Sequence, residues 1–215
     1  MKPCGAPSLP QPVVDLKNQE LVAIFKDLQQ LSNVLNTGTA SHRRLSTTEL
    51  QNRICSVPYR LLRMQGNLDN ILAECLRLAM LAFLATTCLS PVPGTEVRYP
   101  YLARCFRECC DPLETSTPHL RDLMLWLLTV GAISLFGATE PWLRERWQAE
   151  VPSRMTWDEA RQRLKDIMWI NAIHDQPGQQ AFKILNLREV AVTNGDNSIA
   201  KLWASSWAGS AYELL

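Results

Sequence analysis

Between Pro118 and Phe136 the chain reads PHLRDLMLWLLTVGAISLF, with no charge after Asp122. Thr117-Pro118 places proline at the first helical position, where its missing N–H is one that a helix start leaves unbonded anyway. Gly137 follows as a stop. A helix that is apolar on nearly every side has no face for water and must be enclosed. Whatever this chain folds into, other elements have to be wrapped around this one.

The candidates for that role share the helical period. Asp15–Asn36 places Leu21, Ile24, Phe25, Leu28, Leu31 and Leu35 on one face, with Lys17, Glu20, Lys26, Asp27 and Gln30 elsewhere. Thr37–Arg44 reads as a polar loop. Ser46-x-x-Glu49 is a capping-box pattern opening a short helix that Pro58 kinks or ends. Asn67 is expected to cap a long helix over Leu68–Leu89, which Ser90-Pro-Val-Pro-Gly94 stops. Tyr99–Cys110 is a shorter helix broken by Asp111-Pro112, and Glu140–Glu150 another, with Trp142, Leu143 and Trp147 on one side. Thr156-x-x-Glu159 caps a helix expected to run to Ile173 through Trp157, Ala160, Leu164, Ile167 and Met168. Asp175-Gln-Pro-Gly178 then reads as a turn, before a last helix over Gln180–Val190. No window alternates apolar and polar residues long enough to demand a strand. The expectation is an irregular all-α domain of roughly seven to nine helices.

Its bounds are expected at 15–190. Residues 1–14 are proline-rich and expected to be disordered, and 191–215 form a divergent tail with Trp203 and Trp207 one turn apart. Met1–Pro12 has no apolar signal core, so the chain is not expected to be secreted. The run Ile71–Leu89 is interrupted by Glu74 and Arg77, which favours a buried core helix over a membrane span. With 22 basic and 21 acidic residues, the net charge of +1 supplies no field to attract phosphate, and no direct nucleic-acid contact is expected.

The seven cysteines are scattered, no CxxC pair exists, and the odd count points to reduced thiols inside the cell. Cys105 and Cys109 share a helix face, with Cys110 adjacent and His119 nearby in sequence, an arrangement open to zinc. Burial is the favoured reading, because closed zinc sites carry paired short spacings. His42 sits beside Arg43 and Arg44 in a loop, and His174 precedes Asp175, but neither belongs to a hydrolytic motif. Asp158-Glu159 are explained by the helix dipole. No DDxxD run and no phosphate-cradling glycine loop occurs. No catalytic residue, metal ligand or cofactor is therefore expected. Ser46 is a candidate phosphorylation site after Arg43-Arg44, with the plain N-cap as the competing reading. The tryptophans at 126, 142, 147, 157 and 169 are expected in the core, or partly lining an interhelical pocket.

Three stretches together resemble the fungal-specific transcription factor domain, the helical regulatory region of fungal zinc-cluster regulators. They are the apolar LWLLTVGAIS helix, the charged helix with Trp142-Leu143 and Trp147, and the closing segment from Thr156-Trp-Asp-Glu159 through Met168-Trp169 to His174-Asp-Gln-Pro-Gly178. The resemblance covers roughly residues 15 to 185. It implies a non-enzymatic, nuclear regulatory domain with protein partners and self-association within its range. The six-cysteine DNA-binding module of that family is not in this chain. The alternatives are a cytoplasmic helical interaction scaffold and a small-molecule-binding protein using an interhelical pocket.

Overall fold

The computed structural model describes residues 9–41, 56–88 and 99–187. Among them are nine α-helices and no strand, so the fold is all-α. They are α1 (Gln11–Val14), α2 (Gln19–Ser41), α3 (56–63), α4 (Ile71–Cys88), α5 (Pro100–Cys110), α6 (Pro118–Gly131), α7 (Pro141–Glu150), α8 (Trp157–Ile167) and α9 (Asn171–Leu185).

The apolar helix is the axis. Thr117 accepts a hydrogen bond from Leu120 N at 3.2 Å, and Pro118 follows at the helix start. Every residue from Leu123 to Gly131 is buried, against α4, α7, α8 and α9. By length and composition alone, 118–136 would also cross a membrane; here 56% of its apolar window is buried by the other helices. Beyond Gly131 the helix widens into a π turn over Ala132–Phe136, closed by Gly137 at φ +74°. Ser134 Oγ donates to Val130 O at 2.5 Å, competing for the carbonyl that an α-helical N–H would take. The wider turn carries Phe136 between Phe106 and Trp142, with ring centroids 6.0 and 5.2 Å away.

α4 packs beside it. Arg77, the charge that interrupts its apolar run, is 3% exposed. It binds both carboxylate oxygens of Glu74, at 2.6 and 2.7 Å, and donates to Leu61 O at 3.3 Å. The pair is partnered rather than solvated, which makes burial tolerable. α4 starts later than expected. Asn70, not Asn67, supplies the cap, accepting from Leu72 N at 2.7 Å.

Both ends of α2 differ from expectation. Asn18 caps it, accepting from Leu21 N at 2.9 Å. The expected loop from Thr37 is helical to Ser41, since nothing before Gly38 breaks the backbone pattern and one helical glycine costs only about 1 kcal/mol. The proline-rich start is not disordered throughout: Gln11–Val14 is a helical turn with Val13 fully buried. Pro58 lies early in the described stretch 56–63, while the capping box before it falls outside the described residues.

α8 opens with the expected capping box. Thr156 N donates to Glu159 Oε2 at 2.9 Å, and Glu159 N donates back to Thr156 Oγ1 at 3.3 Å. Thr156→Ala is expected to lower stability by about 1 kcal/mol in chemical denaturation, the usual worth of such a cap.

The end of this region corrects the sequence reading. α8 stops at Ile167 rather than Ile173, and Met168–Ile170 runs extended. The expected turn at Asp175–Gly178 is instead inside α9, which continues past Pro177 to Leu185. Gly178 is there for space. A Cβ at that position would lie 2.8 Å from two Trp169 ring carbons and 3.0 Å from Trp157. Gly178→Ala, normally stabilising in a helix, is therefore expected to cost about 1–3 kcal/mol in urea denaturation. A neutral or stabilising result would show that the tryptophans can retreat.

Candidate functional site

The break at Met168–Ile170 leaves the carbonyls of Ile167, Met168 and Trp169 without helical partners, while Ile170 O accepts from His174 N of α9, and buried carbonyls need partners. Side chains from α2 and α6 provide them. Gln29 Nε2 donates to Ile167 O at 3.0 Å, Trp126 Nε1 to Met168 O at 2.7 Å, and Asn36 Nδ2 to Trp169 O at 2.7 Å. Asn36 Oδ1 in turn accepts from Asn171 N at 2.8 Å. The α8–α9 joint is thus held by three amide or indole N–H groups reaching in from other helices.

His174 closes the joint from the α9 side. Ile170 N donates to its Nδ1 at 3.1 Å, which leaves the proton on Nε2. Nε2 lies 2.8 Å from Thr86 Oγ1, and that hydroxyl donates to Phe83 O at 2.7 Å. The result is a relay from backbone to imidazole to hydroxyl to backbone. The ring is fully buried between Phe83 and Trp169, at centroid distances of 4.8 and 4.9 Å. Burial pushes its pKa down to about 3, with the Asp175 charge opposing only in part. His174 is therefore neutral and has both nitrogens engaged. It cross-links the start of α9 to α4.

The neighbouring Asp175 does not bond to His174. Its carboxylate takes Arg161 Nε at 2.9 Å and Nη2 at 2.5 Å, plus Trp169 Nε1 at 2.9 Å. Burial works to raise this carboxyl, but the Arg161 and Trp169 hydrogen bonds outweigh it and hold it below the usual range.

Beside the joint lies an open groove of about 1200 Å³ between α1, α2, the start of α6 and α8. Val14, Val34 and Ile167 are apolar residues of its lining, and His119, Asp122 and Arg163 line it as well. Arg163 Nη1 meets Asp122 Oδ1 at 2.9 Å. Gln29 and Ile167 belong to both the groove and the joint.

The fold keeps the cysteines read from sequence on α5 and adds Cys75, but places His119 at the groove. Cys110 is buried against Cys75 of α4, Cys105 and Cys109 are half-buried, and His119 faces the groove. Among the described residues no three His, Cys, Asp or Glu side chains are grouped to hold a metal. Asp158 and Glu159 lie in the first turn of α8, with Glu159 lowered by its hydrogen bonds from Thr156. Trp126, Trp142, Trp147 and Trp169 are buried, and Trp157 is half-buried against Trp169. Ser46, His42 and the 191–215 tail lie outside the described residues. Sequence reasoning missed Gln29 and Asn36. Their one signal is a polar run, Gln29, Ser32, Asn36, at i, i+3, i+7 alongside the apolar face of α2.

No family model matches the sequence, and no match is found among curated proteins or solved structures.

Proposed function

We propose that this chain is a non-enzymatic regulatory domain that works through protein partners to control transcription. The reading rests on the resemblance of the 118–136 and 156–178 stretches to the regulatory domain of fungal zinc-cluster factors. One observation carries it. The two stretches are a single unit, joined through the core by the Trp126–Met168 hydrogen bond and by α6 lying against α8 and α9. The polar groups of the closing segment are consistent with this role, since His174, Asp175 and Arg161 hold backbone and each other. DNA binding would come from a partner, in keeping with the near-zero net charge.

The test is to tether the full chain to a heterologous DNA-binding domain in a fungal cell and read a reporter gene. A several-fold change in transcription, lost in a groove variant such as Val34→Asp that still folds, supports the proposal. An unchanged reporter, with the fusion nuclear and folded, refutes it. The groove also supports a second reading, a small-molecule binder with a partly apolar lining. Thermal stabilisation by a metabolite, abolished by Val34→Asp, would favour that reading instead.

A further inference from the structure

Cys75 lies one turn into α4, and Cys110 is the last residue of α5. Their Sγ atoms are 3.2 Å apart and both are fully buried. A disulfide holds its sulfurs about 2 Å apart, so closure asks for a shift of only about 1.2 Å. α4 and α5 are already packed on one another. Among Cys75, Cys105, Cys109 and Cys110, no other pair has its sulfurs in contact. Cys105 and Cys109 sit one turn apart on a single helix, and Cys109 and Cys110 are chain neighbours.

We propose that Cys75 and Cys110 are a disulfide-forming pair that locks α5 to α4 when a hydroperoxide reaches them. The chemistry balances with hydrogen peroxide as oxidant. One cysteine, as thiolate, attacks a peroxide oxygen and becomes a sulfenic acid, and the first water leaves. The second thiolate attacks that sulfur, the S–S bond forms, and hydroxide departs with a proton as the second water. Two thiols are oxidised, and one peroxide is reduced to two waters. Cys110 is the point of entry. It ends its helix, next to the Asp111-Pro112 turn, so opening the last turn of α5 exposes it without unfolding α4. The hydrogen bond to Cys110, and then burial, push the Cys75 thiol well above its ordinary pKa. Cys109 is pushed up to about 11, chiefly by burial. The closed protein therefore holds Cys75 as the unreactive thiol, and the bond forms through openings. In a reducing compartment such a bond is transient, which suits a sensor rather than a structural staple.

The bond would close a loop of 35 residues, which constrains the unfolded chain. The full-length reduced protein is treated with hydrogen peroxide, the remaining thiols are alkylated, and linked peptides are mapped without reductant. The expected result is a dominant Cys75–Cys110 cross-link, reversed by dithiothreitol, with Tm raised by roughly 5–15 °C. The double variant Cys105→Ser/Cys109→Ser retains both effects. The proposal is overturned if Cys75 and Cys110 stay alkylatable while other cysteines oxidise, if the linkage maps elsewhere, or if the cross-linked protein melts no higher than the reduced one. Mapping on the unmodified chain decides the question even if a Cys110→Ala control does not fold.

Discussion

Trp169→Ala is expected to remove about 3–5 kcal/mol of stability, the largest loss from any single truncation near the α8–α9 joint. The ring is 1% exposed and packs edge-on to Trp157 and against His174, at centroid distances of 6.4 and 4.9 Å. Removing it leaves a cavity over Gly178, a residue with no side chain to collapse into the space. It also takes the indole N–H from Asp175, although Arg161 still holds both carboxylate oxygens. Trp169→Phe separates these contributions by keeping most of the apolar contact. The same ring sets the cost of Gly178→Ala, so the two substitutions are expected to couple. In a Trp169→Phe background the added Cβ meets a smaller neighbour, and its cost should fall by about 1 kcal/mol or more. Guanidinium denaturation of the four proteins measures this. Strict additivity, or a Trp169→Ala loss below about 1 kcal/mol, would mean that the joint is not packed as described.

The helices that sequence reading placed best are those whose ends are written locally. Thr117-Pro118, Glu140-Pro141 and Thr156-x-x-Glu159 each start a helix where the local chemistry says: Thr117 and Thr156 are satisfied as caps within one turn, and Pro141 sits at the first helical position, where its missing N–H costs nothing. The α8–α9 joint has no such local signature. Met168, Trp169 and Ile170 continue a good helical pattern, yet the chain leaves the helix where Gln29, Trp126 and Asn36 offer N–H groups to the carbonyls of Ile167, Met168 and Trp169. Those partners are 42 to 138 positions away in the chain. Pro177-Gly178 misleads in the opposite sense. A proline–glycine pair is a strong turn signal, yet here the glycine admits the Trp169 ring and the helix passes through. His174-Asp175 shows the same limit at the candidate site. Adjacent in sequence, the two side chains point to different partners, and only the fold reveals that the imidazole serves Ile170 and Thr86.

That placement of His174 has a consequence in acid. Its folded pKa, pushed down by burial, is about 3, against 6.5 in an unconstrained chain. Between those values the unfolded chain binds a proton that the folded protein does not. Stability therefore rises with pH through this window and falls as pH drops below about 6.5. Above 6.5 both states hold the neutral ring and there is no effect. At pH 5 the loss is expected to be about 2 kcal/mol, and near pH 3 about 4 kcal/mol. Protonation would also destroy the joint directly, because an imidazolium Nδ1 carries a hydrogen and cannot accept from Ile170 N. The lowered Asp175 carboxyl adds its own loss as pH falls below the ordinary carboxylate range, so the histidine effect is read cleanly between pH 7 and 5. Urea denaturation across that interval should show the fall in the native protein and a nearly flat profile in His174→Gln. The variant is expected to start lower at pH 7, since the amide cannot match both ring contacts. Equal slopes in the two proteins would place the titration at another group and remove His174 from the explanation.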